Sequence, residues 1–187
     1  RMRIIKDDGE IELMKQAAVL ARIGVMATLQ AAAPGQSQLA IESLGTNAIL
    51  EAVPQLTPDA TVHLLGFTTS GPETSLPHLI TTTRRLTSPD LAIHSRQVSV
   101  DGERAELERT FAIGSMTGRT LDVFNVAEAA QRAAIAACTA GRPMKEVDAA
   151  ARSIIQRSGY GDYSIHRTGH GLGIEAHEAP YIRWDND

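Results

Sequence analysis

Apolar residues recur every three or four positions from Glu10 to about Ala32, with Ile11, Met14, Ala18, Ala21 and Val25 on one stripe. That is the period of an amphipathic helix. Ala33-Pro34-Gly35 breaks it, and Ser37 stands where an N-cap would open a second helix running to about Ala52. "PQLTPDA" (54–60) then reads as a loop. "TVHLLGFTTSG" reads as strand, and "DLAIHSRQVSV" and "ERAELERTFAI" as two more, joined by Asp101-Gly102, a strong hairpin signal. The helical period returns in "VFNVAEAAQRAAIAACTA", stops at "GRP" and resumes in "MKEVDAAARSIIQRSG". Helix, Gly/Pro break, helix and strand thus occur twice, with Gly141 repeating Gly35 and Val147 repeating Ile41. The pattern predicts an α+β chain of two halves, about 1–114 and 115–187, forming a single domain.

The hairpin makes a sharper prediction. A two-residue turn at 101–102 pairs Val100 with Glu103, so Ser95 faces Glu108. Side chains alternate across a strand, and Glu106 stands two residues from Glu108. Ser95, Glu106 and Glu108 therefore share one face. Two carboxylates on one face are costly to bury unless a cation or a proton neutralises them. The competing reading is a solvent face on which the acids are decoration.

"HRTGHGLGIEAHE" (166–178) gathers His166, His170 and His177. His166 and His170 have the i, i+4 spacing of a helical metal pair, but Gly169, Gly171 and Gly173 disfavour a helix there. Glycines alternating around a histidine fit a strand or turn that another group approaches closely. His78 follows Pro77 in a loop. His63 and His94 have no supporting context and are read as structural.

Composition narrows the classes. The chain has 187 residues, 43% of them apolar and 21% charged, with a net charge of −4. That balance carries no basic footprint for nucleic acid. No apolar run reaches the ~18 residues of a membrane span. A single cysteine, Cys138, excludes an internal disulfide framework. Its apolar helical neighbours predict a buried, inert thiol. The cytoplasm is the expected location.

With these residues in view, the chain resembles the catalytic domain of the M24 "pita-bread" metallopeptidases, closest to the Xaa-Pro aminopeptidase and Xaa-Pro dipeptidase branch, with creatinase as a relative. The resemblance rests on "RIIKDDGEIELMKQAA", "TSGPETSLPH", "DGERAELERTFAIG", "GRPMKEVDAAARSII" and "GYGDYSIHRTGHGLGIEAHEAPYI". It implies two αβ halves related by pseudo-twofold symmetry around a curved antiparallel sheet, the second half incomplete.

The resemblance also implies a site. The family's metallopeptidases hold two divalent ions, of the Mn, Co or Zn type, on two aspartates, one histidine and two glutamates. The first aspartate falls on Ser95, the second on Glu106 and the histidine on His170; the two glutamates fall beyond Asp187. The family's substrate and proton-transfer histidines fall on His78 and His177, with His166 close by. Glu108 matches a glutamate of creatinase's metal-free site. The implied activity is hydrolysis next to proline by metal-activated water, on a proline-containing peptide.

The departures at Ser95 and Glu106 lead us to expect a metal-poor, weakly active or inactive chain in which His78, His170 and His177 share a cleft. Two other readings stand beside it: a metal-independent C–N hydrolase using His78 and Glu108, and a non-catalytic peptide- or protein-binding module. Both ends resemble cuts within a longer family member, and the strand edges this would expose predict a homodimer or larger oligomer.

Overall fold

Asp7 opens the first helix. Its carboxylate accepts from Glu10 N at 2.9 Å, while Glu10 Oε2 accepts from Asp7 N at 2.8 Å. This reciprocal capping box satisfies two of the donors a helix start leaves unpaired. The computed structural model describes residues 2–76 and 78–186, with side chains from residue 3 onward. Among them, α1 spans Asp8–Ala31 and α2 spans Gln38–Leu56, capped as expected by Ser37, whose hydroxyl accepts from Ala40 N. Strands β1 (Val62–Ser70), β2 (Asp90–Val100) and β3 (Glu103–Ile113) follow. Then come α3 (Gly118–Ala137), α4 (Met144–Arg157), β4 (Gly169–Gly171) and β5 (Glu178–Ile182).

The residues group into two compact units. The larger is Ile5–Met116 with Leu172–Ala176; the smaller is Arg1–Ile4, Thr117–Gly171 and His177–Asp187. In the larger unit β1, β2 and β3 form an antiparallel sheet in that order. The hairpin has the expected register, with Val100 opposite Glu103 and Ser95 opposite Glu108. In the smaller unit β4 and β5 pair antiparallel.

One face of the β1–β3 sheet packs on the helices. Val98, Val100 and Ala105 meet Ala17, Leu20, Ala21 and Ile49 in a closed apolar cluster. The smaller unit has its own cluster of Ala130, Ala134, Val147 and Ala151 between α3 and α4. The two helix pairs echo each other in detail. Gly35 and Gly141 both take left-handed backbone, at φ 88° and 82°, and Ile41 and Val147, six residues on, are both fully buried.

Three sequence expectations need correction. The buried stripe of α1 is Ala17, Leu20, Ala21, Gly24, Val25 and Thr28, and Ala18 is exposed. The helix has turned to put its small residues inward, because Gly24 is where Ile49 of α2 closes on it. Helix α2 runs four residues past Ala52, through Pro54. Packing of Ala52 and Val53 on the core outweighs the lost proline hydrogen bond in the last turn. Cys138 is exposed. It caps the C-terminus of α3, beyond the buried Ala130 and Ala134, so the inward positions of that helix are already taken.

The inner sheet face also buries polar groups. Arg96 is 1% exposed, with Nη1 donating to Thr46 Oγ1 at 2.8 Å and Nη2 to the Glu42 carbonyl at 3.2 Å. Gly24, Gly45 and Gly66 make room for its guanidinium, since a Cβ on any of them would press on it. His94 is fully buried beside it, with Nδ1 2.9 Å from Thr68 Oγ1. Burial, reinforced by the Arg96 charge, drives the His94 imidazole from 6.5 down to about 3.

Two measurements check this core. A methyl at Gly45 would meet Thr28 Oγ1 and the Gly24 carbonyl, the latter at 2.7 Å. Gly45→Ala should therefore lower stability by about 2 kcal/mol in urea titration. The folded pKa of His94 lies below its unfolded value, so the unfolded chain binds the extra proton. The contribution is complete above pH 6.5 and is lost as pH falls from 6.5 toward about 3. His94→Gln should flatten this acid limb by roughly 5 kcal/mol, read from urea midpoints across the window.

Candidate functional site

The outer face of the sheet carries the candidate site of the larger unit. Alternation puts Ser95, Gln97, Glu106 and Glu108 on it together, with Ser95 opposite Phe67 on one side and Glu108 on the other. Ser95 Oγ donates to Glu106 Oε1 at 3.3 Å, and Gln97 Nε2 donates to the same oxygen at 3.1 Å. Ser95 is fully buried and Gln97 is 8% exposed. Glu108 keeps a solvent-facing side, yet the atoms crowding its carboxyl raise its pKa, and the Glu106 charge adds to the rise. The neighbouring Ser95 hydroxyl and the charge of His78 act in the opposite direction.

His78 reaches this face from the loop after β1. Its ring lies edge-on to Phe67, with centroids 6.1 Å apart. Its backbone adopts φ 57°, a left-handed conformation that costs a non-glycine residue about 1–2 kcal/mol. Strain of that kind persists only where surrounding contacts hold it.

The smaller unit holds the histidine run. His170 sits in β4, and its ring meets that of His177 edge-on, 4.2 Å between centroids and 81° between planes. His170 Nδ1 lies 3.0 Å from the Gly171 carbonyl. A carbonyl only accepts, so Nδ1 carries the hydrogen of this bond. The glycine at 171 is required, because a Cβ there would stand 2.8 Å from the Ala179 carbonyl of the paired strand. His166 is exposed, with Nδ1 2.9 Å from the Arg167 carbonyl, and takes no part in the His170–His177 ring contact.

An ion pair between the half-buried Arg152 and the buried Asp148 supports that run. Arg152 Nε and Nη2 donate to the two oxygens of Asp148 at 3.0 and 3.2 Å. Its Nη1 donates to the Ser164 carbonyl and Nη2 to that of His166. Thr168 Oγ1 donates to Asp148 Oδ1 at 2.7 Å. Burial alone would raise the Asp148 carboxyl; the hydrogen bonds from Arg152 and Thr168, with the Arg152 charge, outweigh it and leave the pKa lowered. The pair thus fixes the chain on either side of His166, just ahead of His170.

Sequence reasoning misses Gln97 and this ion pair. The signals are there: alternation places Gln97 beside Ser95 and opposite Glu106, and Asp148 and Arg152 have the i, i+4 spacing of a helical pair.

The family profile of metallopeptidase family M24 matches residues 12–187. The chain belongs to metallopeptidase family M24. An Xaa-Pro dipeptidase of Pyrococcus furiosus is 30% identical over 181 residues, covering 97% of this chain and 51% of that protein. A solved structure of the prolidase from Pyrococcus furiosus superposes with a TM-score of 0.91 at 29% identity, over 100% of this chain and 54% of the other. The X-Pro aminopeptidase of Thermotoga maritima gives 0.88 at 29% identity, over 100% and 51%. These likenesses establish the pita-bread α+β fold. The chain spans about half the length of the curated relatives it matches.

On the sheet face Ser95 is neutral, and Ser95 and Gln97 both turn hydrogens toward Glu106 Oε1. Among the described residues, no group of three or more His, Cys, Asp or Glu side chains is placed to hold an ion.

Removing Arg152 leaves the buried Asp148 carboxylate with the Thr168 hydrogen bond but without its guanidinium, at a cost of about 3 kcal/mol. Arg152→Ala should lower stability by about that amount and disperse the His166 and His170 imidazole signals in NMR spectra. An unchanged denaturation curve would contradict this.

Proposed function

We propose that this domain binds proline-containing peptides through its sheet face, with Glu106 and Glu108 receiving the cationic peptide N-terminus, and that it is metal-poor and weakly hydrolytic or inactive as it stands. The observation that carries the reading is the double hydrogen bond from Ser95 and Gln97 to Glu106. It supplies with neutral donors the compensation that a metal provides in the family. Glu106 and Glu108 present two carboxyls on one face, and Phe67 offers an apolar surface beside His78. An ammonium group suits such a face. It makes strong charge-assisted hydrogen bonds to carboxylates and asks for no fixed coordination geometry. The family relationship to a dipeptidase named for Xaa-Pro substrates supports proline as the neighbouring residue.

A second reading is favoured by His78, whose charge reaches Glu108 across the same face. A histidine and a carboxyl that share a substrate can run acid–base chemistry on a C–N bond without a metal.

Elemental analysis after dialysis and calorimetry with Ala-Pro test both readings. The first expects substoichiometric Mn, Co and Zn. It also expects Ala-Pro binding that survives EDTA and weakens at least about tenfold in Glu106→Gln. About one or two tightly held ions per chain would refute it. Hydrolysis of a C–N bond that survives EDTA and is lost in His78→Ala would favour the second reading.

A further inference from the structure

The loop that carries His78 leaves the sheet at Ser70 and returns to the body of the unit at Thr82. Between its ends lies one buried side-chain amide, that of Gln38, in the first turn of α2. Gln38 is fully buried, and its amide is saturated. Nε2 donates to Ser70 Oγ at 2.9 Å and to Glu73 Oε2 at 2.8 Å. Oε1 accepts from Thr82 N at 3.1 Å and from Thr82 Oγ1 at 3.0 Å. A primary amide has two N–H donors and two acceptor lone pairs, so all four of its positions are used. The donor end faces the outgoing strand of the loop and the acceptor end faces the returning one.

Neighbouring contacts close the same neck. Arg84 Nε donates to the Ser70 carbonyl and hydroxyl, and its Nη2 donates to Asp90. Gly71, at φ 56°, leaves room for the Arg84 guanidinium. Thr68 N donates to Thr81 Oγ1, whose hydroxyl donates in turn to Glu42. Beyond this neck, the loop tip meets the sheet face where the His78 ring stands edge-on to Phe67.

We propose that the Gln38 amide is the clasp of this loop and a positioning residue for His78: by joining Ser70 and Glu73 to Thr82 it closes the loop neck and so sets the His78 ring over the Ser95–Glu106–Glu108 face. The inference rests on the reading that this face receives a peptide. Its physical core is the polarity of the clasp. The Glu73 carboxylate has no hydrogen to give, so the group opposite must be a donor. A carboxylate at position 38 would still accept from Thr82 and Ser70, but it would face Glu73 as like charge against like charge. Exchanging the two residues restores a donor–acceptor pair with the same atoms in reversed order.

The test is a swap cycle on the full chain: Gln38→Glu, Glu73→Gln and the double variant Gln38→Glu/Glu73→Gln. Three readouts apply to each: amide hydrogen exchange over residues 72–82, the His78 ring resonances, and Ala-Pro affinity by calorimetry. Gln38→Glu should speed exchange in the loop at least about tenfold, shift the His78 signals and weaken Ala-Pro at least about tenfold. The double variant should return all three to within about threefold of the starting protein. Unchanged loop exchange in Gln38→Glu would overturn the proposal. So would a double variant that folds but stays as loose as the single one, since loss of packing rather than of pairing would then be the cause. Restored exchange and His78 signals, in a protein that never bound Ala-Pro, would uphold the clasp and sink the peptide reading alone.

Discussion

Strand β2 is buried on both faces, and the whole arrangement turns on its alternation. Odd positions 95 and 97 look to the carboxylate face; even positions 94, 96 and 98 look to the helices. A one-residue slip at the Asp101-Gly102 turn would bring Arg96 out among the carboxylates and drive Ser95 and Gln97 into the apolar cluster. Such a slip is blocked twice. Val98 and Val100 would lose their places against Leu20 and Ile49, and Arg96 would lose its glycine-lined slot under α2. The register of one hairpin therefore decides both the core and the site chemistry.

The two faces handle charge by the same means. On the helix side Arg96 donates to neutral oxygens, a hydroxyl and a carbonyl, with the Glu42 charge nearby. On the site side Glu106 accepts from a neutral hydroxyl and a neutral amide. Neutral dipoles thus meet a charged group on each side of the sheet.

The parts of the fold and site that repeat locally are legible in the sequence. The hairpin has period two, a two-residue turn and a sum rule, and these suffice to put Ser95, Glu106 and Glu108 on one face. The Ser37 cap and the Gly35/Gly141 echo are equally local. What escapes are groups whose partners lie far along the chain. Gln38 meets Thr82 forty-four residues away, and Arg96 meets Glu42 at a separation of fifty-four. Neither pairing leaves a periodic mark. Cys138 misleads for a related reason: an alanine-rich helix has small residues on every side, so composition does not tell which side is covered. The role of His78 comes from resemblance alone; its loop has no period, and its position depends on contacts made at the loop's neck.

Those long-range contacts converge on one stripe of α2. Gln38, Glu42 and Thr46 are spaced four apart, which stacks them along one side of the helix. Gln38 takes the loop neck at Ser70, Glu73 and Thr82. Glu42 accepts from Thr81 through its side chain and from Arg96 through its carbonyl. Thr46 accepts from Arg96. Each turn of the helix thus holds the next piece of the site's support, from the loop bearing His78 at one end to the strand bearing Ser95 and Gln97 at the other. The Ser37 cap and the buried Ile41, Gly45 and Ile49 on the adjoining stripe keep the helix from rotating. A rotation of α2 by one residue, about 100°, would release the loop neck and the Arg96 slot together. Loop and strand are therefore coupled through a rigid element that contains none of the candidate catalytic groups.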